Sequence, residues 1–390
     1  MEKDLNNEII ELTRALVRIP SQSGVESEQV IAQFIQHKLQ EFGFNPEIIG
    51  PDEQPSVTCF IEKNPGARTI WLIAPLDTSK IINFGEWTFP PFEGIVEENK
   101  MYGCGVASCK IAIAMYCILA RELARNDAFN GNIYLSFNSD EQCGTLTGAR
   151  EIIPRAPKVD LCLLGYQEMD EISIGARGWL RLHLQTIGKT VHTGARRNVG
   201  VNAIHSMARV INALISIKLK TKKDTFFWFG PSLNVTTVRG GLGMNLVPDY
   251  CRINIDIRLV PGQSDTEIMT QIKKELDVIK KRDNNFDYQL DIVQYQSAYI
   301  TDPTNEFINV LQTNIQKIIG KRLPLVASGH GSAGNLIAEL GIPIINAFGV
   351  NSGNEHSPNE WIDINSIIPV YTILTNSLIE FANAGTKGRN

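Results

Sequence analysis

Cysteine is sparse in this sequence: seven in 390 residues, an odd number scattered along the chain. That count does not make a disulfide framework and fits reduced thiols, so a cytoplasmic setting is expected. Long apolar runs are lacking too. The longest, Ile111 to Ala120, lies between Lys110 and Arg121. It falls well short of the roughly 20 residues that cross a bilayer, so no membrane partner is expected. The opening Met-Glu-Lys-Asp-Leu-Asn-Asn-Glu has no cationic stretch leading to an apolar one, and no signal peptide is read there. Positive charge is not in excess. With 37 Lys and Arg against 42 Asp and Glu, the net charge is -5, which argues against a nucleic-acid surface. Internal repeats, low-complexity tracts and Pro-rich linkers are absent as well. What is present is 43% hydrophobic and 20% charged residues, the balance of a globular protein with one large or two ordinary cores.

The first half alternates short apolar runs with helical patterns. Thr69 to Ile73, Ile133 to Phe137 and Leu161 to Leu164 read as buried strands, and Glu28 to Phe42 and Ile111 to Arg125 as helices. That alternation predicts an α/β layer fold with a mostly parallel sheet. Near Arg177 the pattern changes. Trp179 to Gln185 alternates as a half-exposed antiparallel strand would. A helix from Asn202 to about Lys218 follows, then strands over Ser232 to Val238 and Tyr250 to Leu259. A helix over Asp265 to Lys280 and a strand over Tyr288 to Val293 close the unit. This β-α-β-β-α-β order predicts a smaller α+β domain, 177–294, inserted into a larger one made of 1–176 and 295–390. Further helices are expected at Glu306 to Ile319 and Ile364 to Ala382.

Six motifs occur in a fixed order. They are Ala74-Pro75-Leu76-Asp77-Thr78, the run Gly103 to Lys110, and Asp140-Glu141-Gln142-Cys143-Gly144. Then come Val191-His192-Thr193 with Gly200 to Ala203, Gly240-Gly241 with Asn245, Pro248 and Asp256-Ile257-Arg258, and Glu355 to Glu360. Together they resemble the dizinc amidohydrolase and peptidase family of acetylornithine deacetylase, succinyl-diaminopimelate desuccinylase and aminoacylase-1. The resemblance runs almost end to end. It implies a mostly parallel mixed sheet flanked by helices, an inserted lid and dimerisation domain, and a homodimer. In that family two His, a bridging Asp and two further carboxylates hold two zinc ions. Carried across, those positions fall on Pro75, Ser108, Gln142, Tyr166 and His356, and only His356 keeps its ligand type.

Zinc takes imidazole, thiolate or carboxylate at about 2.0–2.3 Å. Proline offers no donor, and Ser and Gln offer neutral oxygens that leave two dications unscreened. No zinc cofactor is therefore expected, and with it goes the activated water of hydrolysis. A single ion on Glu141, His356 and Asp77 is a minor alternative.

The resemblance makes Glu141 the general base, His192 the lid histidine that stabilises an oxyanion, and Asn245 and Arg258 the grip on the substrate's amide oxygen and carboxylate. A catalytic role falls on Glu141, His192 and His356, and substrate binding on Asn245, Arg258 and Tyr166. Each has a plainer reading: Glu141 as a helix-start carboxylate, His192 as a loop histidine, Arg258 as half of a strand salt bridge. Asp77 is expected to pair with Lys110, and a Schiff base on that lysine is disfavoured. Cys104, Cys109 and Cys143 lie near the site and read as small core residues, though a Cys–His pair with His356 is an option. His330 sits in a Gly-rich segment, and its neighbours Ala333-Gly334 replace the family's Thr-Asp. His37, His183 and His205 read as structural. The resulting expectation is a metal-independent acid–base enzyme acting on a small amino-acid-derived carboxylate. The reactions it fits are condensation, cyclisation, isomerisation and acyl transfer. A non-catalytic binding protein is one alternative and a metal-dependent N-acyl amino acid hydrolase the other.

Overall fold

A computed structural model describes residues 2–197, 199–219, 221 and 224–384. The chain divides into two compact units, one of residues 1–175, 300–328 and 332–390, the other of 176–299 and 329–331.

The larger unit is built on a nine-stranded mixed sheet. At its centre the strand Thr69–Pro75 runs parallel to Asn132–Asn138 on one side and to Leu161–Tyr166 on the other. Every residue of Thr69–Pro75 and of Asn132–Asn138 is buried, because helices cover both faces of a parallel sheet. Ile344–Ala347 extends the parallel part, and Ser56–Ile61 pairs antiparallel with Asn132–Asn138, with Glu47–Ile49 outside it at the edge. The helix Ile111–Arg125 is buried along nearly its whole length, which accounts for the longest apolar run in the chain. It is entered through a π-helical turn, Val106–Lys110, preceded by Gly105 at φ 74. A side chain at Gly105 would also strike Thr78, 2.2 Å from an added Cβ, so only glycine serves there.

The smaller unit is a four-stranded antiparallel sheet in the order Ser232–Gly240, Tyr250–Leu259, Gly178–Ile187, Asp287–Gln296. The helices Ala203–Ile215 and Asp265–Arg282 supply its core together with one sheet face. Leu180, Leu182 and Leu184 interleave there with Ile253, Ile255 and Ile257, the period of two that alternation requires. Both helices begin at side-chain caps: Asn202 accepts from His205 N, and Ser264 from Glu267 N. On the opposite sheet face the register sets Trp179 across from Arg258 and Arg181 across from Asp256.

The C-terminal helix starts later than its apolar pattern suggests. Asp363 caps a 3-10 turn over Ile364–Ser366, and the α-helix runs Ile367–Ala384. No helix among the described residues is long and apolar enough to cross a membrane.

Candidate functional site

In the larger unit the candidate residues gather at the ends of the central strands. Thr69–Pro75 delivers Asp77, which is fully buried. Its two oxygens accept the backbone N–H of Glu141, at 3.0 Å, and of Gln142, at 2.8 Å. Burial pushes the Asp77 carboxyl up to about 7 against those two N–H donors. The expected Asp77–Lys110 pair is not formed. Lys110 is buried and donates instead to the carbonyls of Leu16, at 3.0 Å, and Ile19, at 2.7 Å. A buried ammonium needs acceptors at once, and the end of the first helix supplies two.

Glu141 is 7% exposed and is held by three donors. Tyr166 Oη donates to Oε1 at 2.9 Å, Ala333 N to the same oxygen at 2.7 Å, and Asn138 Nδ2 to Oε2 at 2.6 Å. Burial raises the carboxyl from its ordinary range, and the three donors pull the other way. The structure thus joins Glu141 and Tyr166 directly, and burial beside that carboxylate raises the Tyr166 phenol.

His356 stands apart from this pair in chain and in conformation. It sits at φ 58 in an exposed turn and lines a pocket with Ser79, Cys104 and Glu360. Neither Glu141 nor Tyr166 lines that pocket. Glu360 is a residue whose part the sequence conceals. Its Oε1 accepts from Ala107 N at 2.9 Å and Ser108 N at 2.8 Å, and its Oε2 from Gly105 N at 2.8 Å. A buried carboxylate closes the start of the π-helical turn, where N–H groups have no partner of their own. Asn138 and the backbone of Ala333 went unread as well: their role depends on where the chain returns.

Two of the three cysteines are core residues as expected, and Cys143 is not. Cys104 and Cys109 are buried, while Cys143 is exposed and accepts from Ser23 Oγ at 2.9 Å. Burial holds the Cys104 thiol up at about 11, far from a thiolate nucleophile.

In the smaller unit His192 and Asn245 lie on adjoining segments. His192 bridges to Leu246, and Thr193 N donates to Asn245 O at 2.9 Å. His192 Nδ1 accepts from Gly194 N at 3.0 Å, which leaves Nε2 as the protonated nitrogen of the neutral ring. Arg258 Nε donates to Asp256 Oδ1 at 2.7 Å, and Arg181 Nε reaches the other oxygen at 3.3 Å. Arg258 therefore makes the strand salt bridge that was its plainer reading. His330 is lowered from the ordinary histidine range by burial and then by the Arg258 and Arg177 charges. Arg177 lies over the Phe229 ring, 4.7 Å from its centre. Of the remaining histidines, His37 pairs with Glu41 at 3.1 Å on an exposed helix face, and His183 lies opposite Asn254 on the sheet.

Residues 174–284 match the family model described as a peptidase dimerisation domain. A succinyl-diaminopimelate desuccinylase of Marinobacter nauticus is 24% identical over 381 residues, spanning 95% of this chain and 98% of its own length. Among solved structures, a metallo-carboxypeptidase of Sulfolobus solfataricus superposes with a TM-score of 0.80 at 17% identity, covering 97% of this chain and 99% of the other. A Bacillus subtilis protein titled a dinuclear metal binding peptidase gives 0.73 at 18% identity, covering 98% and 99%. The chain resembles the dizinc amidohydrolase and peptidase family over its whole length and shares its mixed α/β fold.

These relatives correct the expectation of a metal-independent enzyme without zinc. Two of the structures that share this fold carry metal binding in their names, and nothing in them speaks for metal-free condensation, cyclisation, isomerisation or acyl transfer. The donor set of this chain is a separate matter. Among the described residues no three His, Cys, Asp or Glu side chains group so as to hold a metal ion. The single-ion set of Glu141, Asp77 and His356 is therefore not assembled either. Asn138 Oδ1, buried without a partner, is a neutral oxygen and adds no charge. As arranged here, the residues do not fit a pair of divalent cations, and no chemical step is derived through one.

Proposed function

We propose that this chain hydrolyses the amide bond of an N-acylated amino acid or short peptide, the metal-dependent reading that the sequence kept as an alternative. The observation that carries it is the likeness to a desuccinylase across 95% of the chain and 98% of the relative, with no large segment of either left over. Metal dependence is supported by the metal-binding names of the structural relatives, while the donor set described above speaks against it.

In this reading Glu141 moves the proton. Burial raises its carboxyl from the ordinary range, and the Tyr166 hydroxyl holds it in place. Tyr166 holds that carboxyl and contacts the bound substrate. His192 Nε2 and the Asn245 amide are donors on adjoining segments, suited to an oxygen that gains charge. Arg258, oriented by Asp256, suits a substrate carboxylate. His356 serves from its pocket. The dimerisation-domain match supports a homodimer, and seven free thiols support a cytoplasmic setting.

The test is release of free amine from a panel of N-acyl amino acids and dipeptides by the wild type and by Glu141→Gln. A loss on the order of a hundredfold or more in kcat is expected for the variant. Unchanged turnover in Glu141→Gln removes Glu141 from the chemistry. A wild type that cleaves none of the panel removes the function.

A further inference from the structure

The pocket that His356 lines has a composition of its own. Ile81, Ile82 and Trp87 are among its lining residues, and the acidic and lysine residues of the lining are Glu86, Glu360 and Lys80. Its volume is about 120 Å³, room for a short chain of carbon atoms and not for a large side chain.

The apolar wall is fixed to the turn that carries His356. Asn83 caps the 3-10 turn Phe84–Glu86, accepting from Gly85 N at 3.0 Å. Beyond that turn, Asn359 Oδ1 accepts from Thr88 N at 2.8 Å and Phe89 N at 3.3 Å. Trp87 is thus held between two anchored stretches and is half-buried, while Ile82 is 95% exposed. An isoleucine so exposed beside a half-buried indole is apolar surface that gains by being covered.

The charges point the same way. Among the described lining residues two carboxylates face one lysine. The Glu360 carboxylate already has backbone N–H partners on both oxygens. An acidic group entering here would meet the Glu86 carboxylate, with Lys80 the one lysine among the described lining residues to offset it.

We propose that this pocket receives an uncharged, apolar acyl group of the substrate, and that Trp87 with Ile81 and Ile82 sets that preference. The inference rests on the amide-hydrolase reading and names the acyl class within it. It separates this chain from a preference for the acidic succinyl group that the desuccinylase relative's name carries.

Titration calorimetry with N-hexanoylglycine and N-succinylglycine tests it without relying on turnover. The wild type is expected to bind the hexanoyl compound on the order of tenfold more tightly or better. Trp87→Ala is expected to narrow that gap to within about twofold, and Trp87→Phe to keep most of it. Ile82→Asn, at a site too exposed to affect folding, gives the same narrowing in part and covers the case where Trp87→Ala fails to fold. Equal or tighter binding of N-succinylglycine, or a hexanoyl preference that survives both Trp87→Ala and Ile82→Asn, overturns the proposal. If N-succinylglycine is cleaved and is bound as tightly as N-hexanoylglycine, the amide-hydrolase reading stands while the acyl preference falls. If neither compound is bound or cleaved, both fall.

Discussion

Replacing Glu360 with Gln separates the two forces on that carboxylate. Three backbone N–H groups point at it, at 2.8 to 2.9 Å, and it is 2% exposed. In the amide variant one oxygen can still accept two N–H groups, but the Nε2 donor then faces Gly105 N–H. A buried donor left without an acceptor costs about 1–3 kcal/mol. The wild-type carboxyl brings a second effect. Burial raises it from 4.5 to about 7 in the folded chain. The folded chain therefore keeps a proton that the unfolded chain gives up between about pH 4.5 and 7. Stability from this group is present at low pH and is lost as pH rises through that window. At about 1.4 kcal/mol for each tenfold change in proton affinity, the loss is roughly 3 kcal/mol. Glutamine does not titrate, so Glu360→Gln lacks this slope. The similar upward push on Asp77 is common to both proteins and cancels in the difference. Thermal unfolding from pH 5 to 8 reads the outcome. At roughly 2–4 °C per kcal/mol for a unit of this size, the variant is expected to melt about 2–10 °C lower at pH 5. The two proteins should converge towards pH 8. A gap that stays constant or widens with rising pH would refute the reasoning, because it would mean that the three N–H groups keep Glu360 ionised.

Tyr166→Phe removes one of the three donors to Glu141 and leaves the ring volume intact, so a loss of about 1–3 kcal/mol is expected in chemical denaturation. An unchanged midpoint would mean that the phenol–carboxylate bond contributes nothing net. Gly331→Ala sets a methyl group 2.1 Å and 2.4 Å from two ring carbons of Trp179, so at least about 1–3 kcal/mol of overpacking is expected in the same assay. Ellman's reagent is expected to titrate one thiol rapidly in the native protein, Cys143, and all seven after denaturation. Rapid reaction of a second thiol would show that the Cys104 pocket opens to solvent.

The central strands were legible because each is a near-continuous apolar run, and Thr69–Pro75 and Asn132–Asn138 are buried at every position. The inserted unit was legible because Tyr250–Leu259 alternates throughout and Gly178–Ile187 from Leu180 onward, one sheet face being packed and the other half open. Long-range polar partners were not legible. Asp77 is satisfied by backbone groups 64 and 65 positions along the chain, and Glu360 by groups more than 250 positions back. A backbone N–H has no sequence signature, so Lys110 was given to Asp77 when it belongs to two carbonyls of the first helix end. The zinc question had another source. The sequence was read by counting donors at inherited positions, and a count at those positions says nothing of the metal-binding company the whole fold keeps.

The most direct test is hydrolysis of N-acyl amino acids by purified protein, before and after chelation and with divalent zinc added back. Cleavage of at least one of these compounds is the predicted result, and chelation with zinc add-back reads whether a metal ion takes part in it. No cleavage of any N-acyl amino acid or dipeptide, by folded protein with or without added metal, would contradict it.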